Sequence, residues 1–497
     1  MRRPALLLAL VLAAAGCGDR ETARTAVSDT SNAPRVNPAT TSGAVVLELW
    51  QLRPSVSLAD WRSAHPDEPI VLADTTASLR PFGEWCAASQ RRVQLGTHEV
   101  TRTALFYPPA PGTLALADSA VQLLGGCELG LVWVSIPAAD SASGARLTDS
   151  VRTQLAEAFG RLVSGPVQFY GSAYWSNVSR FRQGQVTAVA ALRSPPASSD
   201  TTRGRAVLAF AYQSNAGIGT GDDAPPISRA WSPPDTMPLD SAVELSRLGM
   251  EAWAPLAALL RRAEAGSHAT QSSPARVDTL ARALRRWLSA SQAQPLPARS
   301  AALYVADAVL DRSLCSYVRC DSQADSEVAP LRALGAQLGW EPLGANWVYQ
   351  RTWLTQARVL DRDSPLGRRI LLQQMNAGFD FSGSCANGPE GFRKVIDLGE
   401  KYLARVPGSP IEPEVHFLVG EAYRDIVALS HGAGSDYADV SMYTGEAPAA
   451  AQSAIEHYRL AMRAGPQSPT AQAAWRQAWW LKAGLAPRDT RFFCVYD

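Results

Sequence analysis

The sequence predicts an α+β domain over residues 44–222, followed by an all-α helical-repeat region over residues 239–497. Three observations indicate this division. Short runs of alternating apolar and polar residues dominate the first part, as is typical of half-buried strands. A proline-rich linker at 223–238 interrupts both helix and sheet patterns. Beyond it, apolar residues recur at helical spacing almost without a break. A chain of 497 residues is also long enough for two or three domains.

The N-terminal residues have the layout of a cleaved export signal. Two arginines precede an apolar run over residues 5–15, and small residues then lead into Cys17. The run is about half of the roughly 20 residues that a membrane-spanning helix needs, so residues 1–16 are predicted to be removed. The arrangement resembles the lipobox of bacterial lipoproteins, although the favoured leucine three positions before the cysteine is here Ala14. The resemblance implies that Cys17 is lipidated and becomes the first mature residue.

Residues 17–43 are predicted to form a disordered tether behind this anchor. They are rich in Thr, Ser, Ala, Asn and Pro and contain almost no large apolar side chain, so they cannot form a core. Gly18 stands where the sorting logic of such lipoproteins places Asp to retain a protein in the inner membrane. The resemblance therefore implies an exported protein held at the outer membrane by lipid. The alternative is a plain secreted protein with a chance cysteine.

The charge pattern argues against two classes of partner. The formal net charge is +1, and basic and acidic side chains are interspersed without a long basic run. Neither nucleic acid nor an anionic membrane surface is therefore an expected partner.

The cysteines predict disulfides, because export delivers a chain to an oxidising compartment. The sequence has seven cysteines, of which six remain besides Cys17. Six thiols allow fifteen pairings. Sequence neighbourhood and the predicted domain division favour Cys86–Cys127, Cys315–Cys320 and Cys385–Cys494. Free buried thiols are the alternative, and a zinc site is a weaker one because Cys315 and Cys320 supply two ligands where four are needed.

Within the α+β domain, strands are predicted where β-branched and aromatic residues alternate, at 44–52, 100–107, 129–136, 167–175, 185–192 and 206–212. A hairpin is also expected to turn near Gln183 and Gly184. Helices are predicted where apolar residues follow three-and-four spacing, at 58–64, 116–124 and 147–159. The pattern favours an antiparallel sheet with helices on one face.

Ten helices are predicted beyond the prolines. A first helical domain, 239–378, is expected to contain helices near 239–264, 276–291, 298–313, 324–338, 346–361 and 365–377. A second, 379–497, is expected to contain helices near 390–405, 412–429, 448–464 and 469–484. Helices in a long series are typical of an α-solenoid.

The clearest motif lies in the last hundred residues. The spacing of the second helix of a 34-residue repeat is matched by Ala454, Tyr458, Ala461 and Pro466, and that of the first helix by Val419, Gly420 and Tyr423. This resembles the tetratricopeptide repeat, with an insertion between the two helices. The resemblance implies paired helices whose small residues allow close approach, with a tyrosine filling the seam between them.

No local motif for catalysis is present. The sequence contains no phosphate-binding glycine loop, no His-Glu-x-x-His and no Gly-x-Ser-x-Gly. Asp361 and Asp363 have the spacing of calcium ligands, but Ser364 and Pro365 indicate a helix N-terminus that these carboxylates favour. No catalytic residue, metal or cofactor is predicted, although a triad assembled from distant residues leaves no local trace.

The expected function is binding. The sequence predicts an envelope lipoprotein that holds another protein or an extended peptide on the surface of its helical repeats. The alternative is a cell-envelope hydrolase or transferase with its site in the α+β domain, which converging carboxylate, histidine or serine side chains in a pocket would favour. Helical spacing predicts packing within helix seams for most residues of two aromatic clusters, and the alternative is that one or two of them line a concave groove. The clusters are Trp347, Tyr349 and Trp353, and Trp475, Trp479 and Trp480.

Overall fold

The computed structural model describes residues 56–73, 85–95, 98–109, 116–138, 140–159, 168–169, 175–183, 186–193, 205–211, 218–219, 253–255, 257–259, 262, 274–314, 325–341, 346–377, 390–431 and 445–487. The leader, Cys17, the tether, the strand expected at 44–52 and the proline-rich linker lie outside these residues. Most of the helix expected at 239–264 also lies outside them.

The N-terminal part is built around an antiparallel sheet. Its strands are β1 (Ile70–Leu72), β2 (Ala87–Leu95), β3 (His98–Tyr107), β4 (Glu128–Pro137), β5 (Gln168–Phe169), β6 (Trp175–Gln183), β7 (Val186–Arg193), β8 (Arg205–Ala211) and β9 (Ile218–Gly219). Seven of them form one sheet in the order β1-β2-β3-β4-β8-β7-β6, while β5 and β9 pair separately. After β4 the chain leaves the sheet and returns as β6, which is the edge strand. β7 then pairs with β6, and β8 fills the place between β7 and β4.

In the part of the chain that the structure describes, three helices accompany the sheet: α1 (Leu58–Ala64), α2 (Ala120–Gly125) and α3 (Ser141–Phe159). The hydroxyl of Ser57 caps α1, since its Oγ accepts the Asp60 backbone N–H at 3.0 Å. α3 lies against β6, β7 and β8. It begins earlier than predicted, because Asp140 accepts the Ser143 backbone N–H at 2.6 Å and supplies the N-terminal cap.

The sheet part contains one disulfide among the described residues, between Cys86 and Cys127. Both cysteines are fully buried. The bridge joins the start of β2 to the residue just before β4, so it connects two strands that are separated by β3. The other five cysteines of the sequence lie outside the described residues: Cys17, Cys315, Cys320, Cys385 and Cys494.

Beyond residue 274 the described chain is largely helical. Its elements are α4 (Pro274–Gln292), α5 (Leu296–Ser313), α6 (Asp325–Arg332), β10 (Leu338–Glu341), β11 (Asn346–Tyr349), α7 (Thr352–Leu360), α8 (Pro365–Ala377), α9 (Glu390–Arg405), α10 (Glu412–Ser430), α11 (Ala447–Ala464) and α12 (Pro469–Lys482). Among the described residues, no helix is both long enough and apolar enough to cross a membrane.

A β-hairpin interrupts this helical part. β10 and β11 pair antiparallel. The helices predicted over 324–338 and 346–361 are therefore wrong at residue 338 and at residues 346–349, which belong to the hairpin. Trp340 and Trp347 face each other across it with ring centroids 5.3 Å apart. Aromatic residues at alternating positions favour strands, and cross-strand aromatic pairs stabilise them. Trp347, Tyr349 and Trp353 are buried, but only Trp353 lies on a helix.

The start of α8 accounts for the two aspartates that had the spacing of calcium ligands. Ser364 caps the helix, because its Oγ accepts the Gly367 backbone N–H at 3.1 Å. Asp361 accepts the Ser364 backbone N–H at 3.2 Å. Asp363 forms an ion pair with Arg405 of α9 at 3.0 Å. The carboxylates therefore serve the helix N-terminus and a link between α8 and α9.

Helices α8 to α12 pack in series. Each contacts the next along the chain, and α10 also contacts α8 and α12, which are two places away from it. The seam between α10 and α11 is narrow: a Cβ atom on Gly420 would lie 2.7 Å from Cε1 of Tyr458. Ala454, Tyr458 and Ala461 are fully buried in this seam, so small residues are required for the observed approach of the two helices.

The last helix returns to the N-terminal part. Trp475, Trp479 and Trp480 of α12 are buried in the same hydrophobic cluster as the sheet. α12 contacts α2, and Nζ of Lys482 lies 3.9 Å from a carboxylate oxygen of Asp118. The sheet and the end of the helical series therefore share one core.

The buried seam gives a first prediction. Replacing Ala461 with Leu should lower the free energy of unfolding by about 1 to 3 kcal/mol, because several carbons are added at a fully buried position. Hydrogen exchange of the α10 and α11 amides in urea measures this change. The matched control is Ala464→Leu, at an exposed site on the same helix, where the change should stay within about 0.5 kcal/mol. Equal small effects at both sites would show that the seam is loose.

Candidate functional site

Two histidines from different helices meet where α10 and α11 pack together. Nδ1 of His416 lies 3.1 Å from Nδ1 of His457, and the ring centroids are 5.2 Å apart. His416 lies four residues before Gly420 on α10, and His457 precedes Tyr458 on α11. The close packing of Gly420 against the Tyr458 ring therefore fixes the distance between the two imidazoles.

A carboxylate lies on the outer side of each imidazole. Oε1 of Glu412, one turn before His416 on α10, is 3.9 Å from Nε2 of His416. Oε1 of Glu400, on α9, is 3.9 Å from Nε2 of His457. Glu400 also accepts a hydrogen bond from the Tyr423 hydroxyl at 3.0 Å. Three helices thus place two histidines, two glutamates and a tyrosine at one point, and these five residues are called the histidine cluster below.

Burial controls the protonation of the histidine cluster. It lowers the pKa of His416 to about 4, and the neighbouring His457 adds to this effect. It also lowers the pKa of His457 to about 4. Burial and the Glu400 carboxylate together raise the pKa of Tyr423 to about 12. At neutral pH both imidazoles are therefore uncharged, and the tyrosine keeps its proton.

These pKa values decide which chemistry the histidine cluster can perform. A general base works best when its pKa lies near the operating pH, and a pKa of about 4 is far below neutrality. Uncharged imidazoles remain good ligands and hydrogen-bond partners. The side chains of His416 and His457 keep 10% and 15% of their surface exposed. The cluster is therefore suited to holding a ligand that arrives from solvent.

Within the described part of the chain, no three or more His, Cys, Asp or Glu side chains form a group that could hold a metal ion. The facing pair of histidines is smaller than such a group.

A second polar cluster lies in the sheet part around Glu68. Its carboxylate accepts hydrogen bonds from Ser89 at 2.7 Å and from the indole N–H of Trp61 at 3.2 Å. Arg102 forms an ion pair with it and also lies over the Trp61 ring. Burial alone would raise the pKa of Glu68, but the Ser89 hydrogen bond and the Arg102 charge outweigh it and lower the pKa. The carboxylate is occupied by donors, so this cluster holds β2 and β3 against α1.

A third polar cluster lies where the hairpin meets α5. Asp307 is fully buried. Its carboxylate accepts hydrogen bonds from Nε of Arg351 at 2.8 Å and from the Leu354 backbone N–H at 3.1 Å. Arg351 also pairs with Asp311 at 2.6 Å. These bonds join α5 to the start of α7. The Asp307 carboxylate is paired with an opposite charge and with a backbone donor, as is typical of a structural network.

The residues of the repeat motif lie together in the helical part. Val419, Gly420, Ala454, Tyr458 and Ala461 are buried between α10 and its neighbours, Tyr423 is half-buried, and Pro466 is exposed just after α11. Sequence analysis missed His416, His457, Glu400 and Glu412. The histidines are 41 positions apart and form no local motif, so only the packing of α10 on α11 brings them together.

No protein-family model matches the chain, and comparisons with curated proteins and with solved structures find no significant relative.

Proposed function

We propose that this chain is an exported lipoprotein, anchored through Cys17, whose C-terminal helices form a tetratricopeptide-like scaffold that binds a protein or an extended peptide. One observation carries the proposal: α10 packs on its neighbours in the chain and also on α8 and α12, two places away. That pattern is expected when helix pairs stack into a continuous array, because each unit buries its apolar side only against the next.

The burial pattern supports the repeat register. Positions at which the tetratricopeptide pattern requires small residues, Gly420, Ala454 and Ala461, are buried at the α10–α11 seam. Tyr458, the expected filler, is fully buried, and its hydroxyl donates to Glu421 at 2.6 Å. A seam of small residues around one large ring allows the close approach on which stacked helix pairs depend.

The histidine cluster indicates where a partner would bind. It lies where α9, α10 and α11 meet, and the side chains of Glu400 and Glu412 are 49% and 27% exposed. Partly open carboxylates beside neutral imidazoles and a tyrosine hydroxyl offer acceptors to a peptide that carries a basic side chain. An extended segment with lysine or arginine is therefore the partner that this surface fits.

The alternative of a hydrolase or transferase in the α+β domain gains no specific support from the described residues. The most deeply buried carboxylate there, Glu68, already accepts bonds from Ser89, Trp61 and Arg102. A catalytic carboxylate needs an accessible oxygen within hydrogen-bond reach of a substrate.

Site-specific photo-crosslinking in the native cell tests the binding proposal. A photoreactive residue placed at Glu456, beside His457 on α11, should give a discrete crosslinked partner, which mass spectrometry identifies. The matched control places it at Arg152, an exposed position on α3 of the sheet part. The identified segment should then bind the purified chain, and lysine-to-glutamine or arginine-to-glutamine changes in it should weaken binding. The same products from both positions, or none from Glu456, would contradict the proposal.

The anchor is tested in the same cells. Cys17→Ser removes the thiol that carries the lipid, so the variant should move from the membrane fraction to the soluble fraction. A variant that stays in the membrane fraction would contradict the lipoprotein assignment.

A further inference from the structure

The facing histidines have an unfavourable proton balance. A neutral imidazole carries one N–H, so two neutral rings have two protons for four nitrogens. At the 3.1 Å contact between the Nδ1 atoms, one ring donates its proton and the other accepts it. The donating ring then has a bare Nε2, and a glutamate oxygen lies 3.9 Å from each Nε2. One of the two carboxylates therefore faces a lone pair instead of an N–H.

A cation between the two Nδ1 atoms removes this mismatch. Both Nδ1 lone pairs then bind the ion, and both protons lie on the Nε2 atoms. Each Nε2–H then has a carboxylate oxygen 3.9 Å away, of Glu412 for His416 and of Glu400 for His457, which is near but beyond hydrogen-bond distance. Metal-binding histidines in proteins commonly donate their second N–H to a neighbouring carboxylate, which fixes the ring and increases its basicity.

The distances agree with such a site. Two imidazole nitrogens at 2.0–2.1 Å from one ion are about 2.9 to 3.4 Å apart for bond angles between octahedral and tetrahedral. The observed Nδ1–Nδ1 separation is 3.1 Å.

We propose that His416 and His457 bind one divalent transition-metal ion through their Nδ1 atoms, with Glu412 and Glu400 as the carboxylates behind them. Imidazole ligands suit zinc, copper(II) and nickel, whereas magnesium and calcium require oxygen ligands. Two protein ligands are fewer than the four of a structural zinc site, so water fills the remaining coordination positions and the ion is held reversibly. The glutamates balance the charge of the ion, and the partly exposed rings give it a route from solvent. Metal binding does not require the scaffold function, but a bound ion would compete with a basic side chain of the proposed partner for Glu400 and Glu412.

Metal titration of the full chain tests the proposal. The protein, with its disulfides oxidised, is freed of metal with a chelator and titrated separately with zinc, copper(II), nickel and magnesium by calorimetry. One equivalent of a transition metal should bind with micromolar affinity, and magnesium should not. His416→Ala and His457→Ala should each weaken binding about tenfold or more, and Glu412→Gln by about tenfold, as for carboxylates behind metal-binding histidines. His431→Ala, an exposed histidine at the end of α10, should change nothing.

X-ray absorption of the zinc-loaded unmodified chain keeps the test independent of whether the variants fold. Two imidazole nitrogens at about 2.0 Å are expected around the metal. Scattering from sulfur, or from a single imidazole, would overturn the proposal. It would also be overturned if the chain takes up no transition metal, or if the double histidine variant binds as tightly as the unmodified chain.

Discussion

Glu68→Gln is expected to lower the free energy of unfolding of the sheet part by about 3 to 5 kcal/mol, as is typical when one partner of a buried ion pair is removed. The side chain of Glu68 is 2% exposed and that of Arg102 is 11% exposed. Gln keeps the shape of the side chain but removes the negative charge that faces the guanidinium. A buried cation then loses its compensation, which costs more than the lost attraction alone. Hydrogen exchange of the β2 and β3 amides in urea measures the change.

A surface ion pair in the same sheet provides the control. Glu99 lies 3.9 Å from Arg92, and both side chains are well exposed. Glu99→Gln should therefore change the free energy of unfolding by no more than about 1 kcal/mol. If the two substitutions had equal effects, the Glu68 cluster would not hold the sheet together.

The Glu68 effect should also depend on pH in a defined direction. Because the folded-state pKa of Glu68 is lowered below its ordinary value of 4.5, its stabilising contribution is fully present above that value. The contribution is lost as the pH falls through the folded-state pKa. The difference between the unmodified chain and Glu68→Gln should therefore shrink below pH 4.5 and remain constant at neutral pH.

Asp307→Asn should lower the free energy of unfolding of the helical part by about 1 to 3 kcal/mol, less than Glu68→Gln, because Arg351 still pairs with Asp311. The carboxylate accepts from Arg351 and from the Leu354 backbone. Arg351 has a backbone φ of 51°, which is a costly conformation for a residue with a side chain. The ion pair holds Arg351 there, so its loss should loosen the junction between the hairpin and α7.

Asp311→Asn is the matched control, because Asp311 pairs with the same arginine but its side chain is 42% exposed. Solvent screens an exposed pair, so this change should cost no more than about 1 kcal/mol. Hydrogen exchange of the α5 and α7 amides distinguishes the two variants. A larger loss for Asp311→Asn would show that Asp307 is not the residue that holds Arg351.

Periodicity predicted much of the fold. Alternating apolar residues identified β3, β4, β7 and β8, and helical spacing identified α8 to α12 to within a few residues. β2 was missed because it carries Gln90, Arg91 and Arg92, which are exposed and hide the alternation. The β10–β11 hairpin was missed because Tyr349 and Trp353, which are four residues apart, also satisfy a helical spacing. There the tertiary pairing of aromatic rings, which no local pattern records, decided between helix and strand.

The candidate site could not be predicted in the same way. The histidine cluster depends on three helices and on a contact between residues 41 positions apart. Its only sequence signal was indirect: Gly420 and Tyr458 were recognised as seam residues, and each lies close in the chain to one of the two histidines. Burial and the directions of the ring nitrogens then determine the chemistry, and both properties arise only from packing.

The shared core of α12 and the sheet has a consequence for assembly. A stack of helices exposes an apolar face at its end unless another element covers that face. An uncovered face can bind a second molecule head to tail. In this chain the tryptophans of α12 are already buried with the sheet, and Lys482 pairs with Asp118 at the edge of that contact. The sheet part therefore covers the apolar face that α12 would otherwise expose, and addition of a second molecule at this face would require α12 to separate from the sheet.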